Sequence, residues 1–299
     1  MAPTTAKKKR PARNRSPKPR AIASAKPWPL RRTLGLEILE APAFARLDWL
    51  AHGFSTRPRG ANEQQTPQRN REKFFRAIGA DRMRPLKLRQ IHSDVAHLAD
   101  SALASLAEPP QGDALFTREL GLLLAVETAD CVPILLADPK TRALAAIHAG
   151  WRGTLRRIAA KTLGRMQMEF GARPEDVIAA LGPSIGRCCY EVGPEVAKEF
   201  QAQFPNARDW FDGPFDALAS DEAANPLPWL SMAPPGHEPP APRVHLDLIA
   251  ANRAILIAAG VAPKNISSSD YCTACRSDLF FSYRRERSAR RMIAAIAIR

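Results

Sequence analysis

Cys131 and His148 bracket a segment, CVPILLADPKTRALAAIHAG, that reads as one β-hairpin. Two apolar runs, Val132 to Ala137 and Ala143 to Ile147, are separated by Asp138, Pro139, Lys140 and Thr141. Asp followed by Pro is a tight-turn signal, because Pro presets φ and the Asp side chain can accept from the amides that follow. A turn centred between Pro139 and Lys140 sets Cys131 directly across from His148, on one side of the hairpin, with Cβ atoms about 5 Å apart. A thiolate and an imidazole so placed can chelate one metal ion.

A third ligand is needed, and His92 is the best candidate, at the end of the alternating stretch Leu86, Leu88, Gln90, His92. A His, Cys, His set suits zinc, and three protein ligands leave the fourth tetrahedral position for water or substrate, which is the catalytic pattern. The same donors suit copper, so ligand type does not choose the metal. Two alternatives stay open on these residues. Cys131 and His148 could be a buried thiol and a hydrogen-bonded core histidine. They could also be the nucleophile and base of a thiol hydrolase.

The residues after His148 favour chemistry over packing. Gly150, Trp151, Arg152 and Gly153 lead into an amphipathic run with Leu155, Ile158, Ala159, Thr162, Leu163, Met166 and Phe170 on helical spacing. A strand that turns through two glycines into a helix aims unpaired amides at one point, and helix starts attract anions. Asp130, beside Cys131, is placed to orient a ligand or carry a proton.

These residues need a scaffold, and the 299-residue chain, 45% of it hydrophobic, can bury a substantial core as one large or two small domains. Helical patterns cover about 69–78, 154–170, 194–204 and 246–259, and strand patterns cover about 46–52, 86–92, 121–126, 132–136, 143–148, 177–181, 266–269 and 292–298. Their irregular alternation, with at least one antiparallel hairpin, predicts an α/β (α+β) fold in which helices flank a mixed, layered β-sheet core in a single domain. Between about 205 and 243 the pattern gives way to a Pro-rich surface loop, within which Trp210, Phe211, Phe215 and Trp229 suggest that part of it docks on the body.

The formal charge of +14 is misleading. Residues 1–32 hold eleven Lys and Arg and no acid, which leaves +3 for the rest. The basic charge thus belongs to a segment, residues 1–35, that reads as a disordered tail, with the catalytic domain at 36–299. No specific nucleic-acid partner is expected. No run of about 18 apolar residues predicts a membrane span. An odd five cysteines and the lack of a signal-peptide core fit a reducing, cytoplasmic setting. Adjacent Cys188 and Cys189 read as packing near the pocket wall, and the CxxC of Cys272 and Cys275 as reduced and structural.

Eight strings carry a resemblance that these local arguments do not need. HGFSTR (52–57), QIHSDV (90–95), GDALFT (112–117), TADCVPILL (128–136), AAIHAGWRGT (145–154), GPSIGRCCYEVGPEV (182–196), HLDL (245–248) and LFFSYRRER (279–287) together resemble the laccase-domain family. That family was formerly described as multicopper polyphenol oxidase and is now read as purine nucleoside phosphorylase. The resemblance implies a single layered α/β domain and metal ligands at His92, Cys131 and His148. It implies purine nucleosides and phosphate as substrates and adenosine deamination as a second activity. It assigns Arg57 and Arg284 to substrate and phosphate, a role that the rigid guanidinium fork suits. With Gly150, Trp151, Arg152 and Gly153, these would form the phosphate and base side of the pocket, where Trp151 and Tyr190 could stack on a base. The chain departs from the family after HGFSTR, where Pro58 to Gln65 replaces a Gly-Gly-Val-Ser stretch, and Cys275 looks like an addition. A multicopper centre needs many imidazoles, and six histidines in the whole chain are too few. A non-enzymatic factor that edits peptidoglycan precursors is the remaining alternative.

Overall fold

The computed structural model describes residues 28–60, 65–213 and 243–299. Two six-stranded sheets lie face to face. The first runs β1 (Leu30–Thr33), β2 (Leu36–Leu39), β3 (Leu50–Ser55), β15 (Met292–Ile298), β7 (Leu122–Thr128), β4 (Arg84–Leu86). The second runs β14 (Ile266–Ser268), β10 (Ile178–Leu181), β8 (Val132–Ala137), β9 (Leu144–Ala149), β6 (Ala114–Thr117), β5 (Ala96–Leu98). A small third sheet orders β11 (Glu191–Val192), β13 (Val244–Leu246) and β12 (Phe211–Asp212). The helices are α1 (Pro67–Ala77), α2 (Ser101–Ala104), α3 (Trp151–Leu155), α4 (Ile158–Phe170), α5 (Pro194–Gln203), α6 (Leu248–Ala258) and α7 (Tyr283–Glu286).

The central strands of both sheets, β7, β15, β8 and β9, are apolar on both faces because both faces are covered. Leu124, Val126, Ala294 and Ile296 of the first sheet meet Leu135, Leu144, Ala146 and Ala180 of the second. Ile134, Leu136, Ala145 and Ile147 face the other way, onto Ile158, Leu163 and Met166 of α4 and Leu248, Ala251 and Ile255 of α6. On the outer side of the first sheet, Phe74, Phe75 and Ile78 cover Ala125, Ala295 and Ala297. The result is helix, sheet, sheet, helix, in agreement with the layered fold expected from the sequence. Truncating a fully buried ring such as Phe280 would cost about 3–5 kcal/mol.

The helix ends follow local rules. Thr66 accepts from the Arg69 amide at the start of α1, with Pro67 at the first helical position. Asp247 accepts from the Ala250 amide to cap α6, and Gly171, with φ of 70°, ends α4. The single helix expected over 154–170 is instead two, α3 and α4, broken at left-handed Arg157 (φ 60°). The Arg157 guanidinium bonds the Gln203 carbonyl and lies over Phe204, and these long-range contacts hold the break.

Several expected boundaries shift. Leu30–Thr33, included in the expected tail, pairs with β2, and Trp28 is buried. Residues 1–27 lie outside the described residues, as do 61–64 of the loop that departs from the family. Of the Pro-rich loop, 214–242 lies outside as well, with Phe215 and Trp229. Trp210 and Phe211 do dock, packing on Phe200. The strand expected to carry His92 ends at Leu86, and His92 sits beyond it in a left-handed turn with φ of 58°.

Candidate functional site

The hairpin forms, but with partners two residues out of the expected register. Val132 pairs with Ala149 and Pro133 with His148, so Cys131 lies across from Gly150 and diagonal to His148. The turn is a four-residue loop rather than a two-residue one. Asp138 accepts from the Lys140 amide and the Thr141 hydroxyl, and Arg142 adopts φ of 57° before Ala143 closes the pair with Asp138. A change of loop length by whole pairs moves partners by two residues, which preserves the face. Cys131 and His148 therefore still point to the same side, at the rim of the core between the two sheets.

Gly150 makes that arrangement possible. A Cβ there would stand 2.9 Å from Cys131 Sγ and 3.1 Å from His92 Cδ2. With hydrogen in its place, His92, Cys131 and His148 bring their ligand atoms within 4.8 Å of one another. The two imidazole rings meet edge to face at 4.9 Å. A soft sulfur and two nitrogens in that spacing fit a tetrahedral zinc or copper with one position left over.

The sequence reading overlooked Asp113, the residue that organises the two histidines. It is completely buried. It stands directly across the β6–β9 ladder from His148, whose amide donates to the Asp113 carbonyl at 2.7 Å. Its Oδ1 accepts from His148 Nδ1 at 2.8 Å and from the His92 amide at 3.1 Å. Its Oδ2 accepts from the Ser93 amide at 2.6 Å, the Ser93 hydroxyl at 2.7 Å and the Ile91 amide at 3.2 Å. The left-handed backbone of His92 lets three successive amides converge on one carboxylate, as in an anion nest. The bond to Nδ1 holds the His148 proton there and turns Nε2 toward the sulfur, which is the orientation that ligation requires. GDALFT, with its charge at the mouth of an apolar run, was the available signal.

The charges follow from these contacts. Burial raises the Asp113 pKa, but the bonds from His148 and Ser93 outweigh it and hold the carboxyl down at about 2. Burial likewise raises the Cys131 thiol, and the neighbouring His148 and His92 reverse this and bring it down to about 6. Burial lowers His148, while the Cys131 sulfur and Asp113 lift it to about 9. Without a metal the pair is therefore a thiolate facing an imidazolium, and a bound ion would take the place of the His148 Nε2 proton.

Asp130 touches none of the three ligands' hydrogen-bonding atoms. Both its oxygens are engaged, Oδ1 by the Thr273 hydroxyl and Oδ2 by the Arg284 amide, each at 2.7 Å. With φ of 90°, it sets the turn into Cys131 and ties it to α7. Each oxygen accepts one bond and keeps a further lone pair, so the geometry leaves both expected parts, orienting a ligand or carrying a proton, in place.

Arg284 joins Trp151, Tyr190, Glu191 and Arg243 around one cleft beside the ligands. Its guanidinium lies 5.3 Å over Tyr190 and donates to the Glu191 carbonyl. Arg57 reaches the same single-turn helix at Glu286, and its guanidinium stacks on Phe281, just before that helix, at 4.6 Å. Arg152 is exposed and lies 4.2 Å over Trp151. Gly153 lets α3 pass the Ser93 carbonyl, 3.2 Å from where a Cβ would be. His52 of HGFSTR is structural: its Nε2 accepts the Ala41 amide at 3.0 Å, and its ring packs against Phe44.

Residues 53–299 match the family described as multi-copper polyphenol oxidoreductase laccase. The chain belongs to that family. A purine nucleoside phosphorylase of Deinococcus radiodurans is 34% identical over 271 residues, 84% of this chain and 88% of the relative. A purine nucleoside phosphorylase of Bacteroides thetaiotaomicron is 42% identical over 173 residues, 58% of this chain. The protein named adenosine deaminase RL5, from an unknown prokaryotic organism, is 40% identical over 173 residues, also 58% of this chain. The chain spans 55% and 56% of the length of those last two. The solved structure of YlmD from Geobacillus stearothermophilus superposes with a TM-score of 0.70 at 29% identity, covering 91% of this chain and all of that one. No helix among the described residues is long and apolar enough to cross a membrane.

Proposed function

We propose that this family member is a metal-dependent purine nucleoside phosphorylase, acting on adenosine, inosine and methylthioadenosine, with adenosine deamination as a second activity of the same pocket. The observation that carries the proposal is the convergence of His92, Cys131 and His148 beside a cleft walled by Arg284, Tyr190 and Trp151. The names of relatives that match over long stretches point the same way.

In phosphorolysis a phosphate oxygen bonds to C1′ of the ribose as the bond from C1′ to the purine nitrogen breaks, giving ribose 1-phosphate and free base. Negative charge builds on the departing purine. Zinc or copper held by the three ligands would supply Lewis acidity at that end of the pocket. The chain supplies the rest. Arg284, fixed by the Glu191 carbonyl and Tyr190, holds the anion, with Arg57, Arg152 and the first amides of α3 near Gly150 and Gly153 as its further partners. Tyr190 and Trp151 offer aromatic faces for the base. Asp113 and Asp130 keep ligands and arginine in register, and such positioning provides much of the rate gain. The catalytic unit is the domain formed by the described residues from Trp28 onward, which works in the cytoplasm, and the basic segment before it takes no part in the chemistry.

The Cys131, His148, Asp113 line also has the order of a thiol hydrolase triad. The third donor, His92, has no part in that mechanism and favours the metal. Incubating metal-quantified protein with each nucleoside, with and without phosphate, tests the proposal. Free base that appears only with phosphate is the expected result, with some inosine from adenosine in either case. No base from any nucleoside would overturn it.

A further inference from the structure

Four of the five cysteines meet at a second place. Cys188 and Cys189 precede Tyr190, and Cys272 and Cys275 lie more than eighty residues later, yet all four sulfurs fall within 4.8 Å of one another. Sγ of Cys188 is 3.7 Å from that of Cys189 and 3.6 Å from that of Cys275, and Cys189 and Cys275 are 3.4 Å apart. Sulfurs at the corners of a tetrahedron around zinc, with bonds of about 2.3 Å, stand about 3.8 Å apart. A disulfide would bring one pair to about 2.05 Å. The observed spacings lie close to the edges of a coordination tetrahedron.

The backbone is built to hold that arrangement. Ser184 and Cys272 form an isolated parallel bridge, and the Thr273 amide donates to the Ser184 carbonyl at 2.9 Å. Cys272 Sγ accepts the Gly186 amide at 3.2 Å and the Cys275 amide as well. Gly186 clears the space: a Cβ there would lie 3.3 Å from Cys188 Sγ and 3.5 Å from Cys272 Sγ.

We infer that Cys188, Cys189, Cys272 and Cys275 form a second metal site, a closed four-thiolate site for one zinc ion, separate from the His92, Cys131, His148 centre. Four protein ligands leave no open position, so this site is structural. Sulfurs this close suit a single ion, whereas a multi-iron cluster would hold them farther apart. Binding drives protons off the thiols, so the ion adds folding energy only where it is loaded. It ties the segment carrying Tyr190 to the one carrying Thr273. Thr273 in turn donates to Asp130, the residue before Cys131, and Asp130 accepts the Arg284 amide. The second ion thus braces one wall of the cleft against the other, through contacts that need neither proposed activity.

Elemental analysis of the full chain, purified reduced and with zinc, tests this. Wild type should carry two zinc ions per chain, Cys131→Ser and Cys275→Ser one each, and the double variant none. If Cys275→Ser fails to fold, cobalt provides the second measurement. Cobalt-loaded Cys131→Ser should keep about four fifths of the thiolate-to-cobalt charge-transfer intensity of wild type, because four of five thiolates remain. One zinc in wild type, lost entirely in Cys131→Ser, would overturn the inference. So would two zinc ions retained in Cys275→Ser, or a disulfide among the four cysteines of the reduced, zinc-treated chain.

Discussion

Replacing Asp113 by Asn separates the electrostatics of the ligand centre from its shape. Every hydrogen bond to the Asp113 carboxylate comes from a donor, so an amide NH2 must face a donor in either orientation. Placed at Oδ2, it confronts the Ile91 and Ser93 amides and the Ser93 hydroxyl. Placed at Oδ1, it confronts the His92 amide and His148 Nδ1. The second orientation is the cheaper, because His148 can yield by moving its proton to Nε2. That tautomer turns an N–H toward the ion, and ligation is lost unless the proton is expelled. A changed partner of a ligating histidine weakens metal binding by about 10- to 100-fold, or about 1.4–2.7 kcal/mol. The unmet His92 amide should cost the metal-free fold about 2 kcal/mol more. The assay is chelator competition, following the zinc equivalent that Cys131→Ser removes, with imidazole nitrogen NMR to read the His148 tautomer. Ser93→Ala is the control, since it deletes one bond to Oδ2 and leaves Nδ1 alone. It should lower stability by about 1 kcal/mol without changing the tautomer. Wild-type zinc affinity in Asp113→Asn, or an equal loss in Ser93→Ala, would refute the reasoning.

Other perturbations have equally definite outcomes. Gly150→Ala should leave the fold intact and weaken metal binding at least tenfold, because the added carbon must displace Cys131 Sγ or His92; isothermal titration of the metal-free protein with zinc checks it. Gly182→Ala should destabilise by about 1–3 kcal/mol in urea unfolding, since its Cβ would lie 2.3 Å from the Phe54 ring and 2.9 Å from Pro133 Cγ. Burial lowers the His52 pKa from 6.5 to about 4, so its contribution to stability is complete above pH 6.5 and is lost as pH falls toward 4. The loss amounts to about 3 kcal/mol, and His52→Gln, which keeps an acceptor for the Ala41 amide, should flatten the decline between pH 7 and 4.5.

Much of the site was legible because it depends on short-range periodicity. Side chains alternate along a strand, so Cys131 and His148 had to share a face for any turn that kept the parity, and the four-residue loop did keep it. The unbroken apolar runs Val132 to Ala137 and Ala143 to Ile147 fit strands buried on both faces, which covering layers on each side provide. Caps and stops at Asp247 and Gly171 were likewise local matters. The cation-rich N-terminal segment separated from the rest by composition alone.

Tertiary structure alone decided which distant groups meet. His92 joins the hairpin through a left-handed turn beyond β4, a conformation that Asp113 stabilises from another strand. Asp113 itself reads as an ordinary strand-flanking acid until β6 is laid beside β9. Arg57 meets the short helix of Arg284 through Glu286, more than two hundred residues away, and the Ser184–Cys272 bridge brings the two cysteine pairs together. Local pattern specifies which face of an element is buried. Which elements then touch is set by the packing of whole sheets, to which no window of neighbouring residues has access.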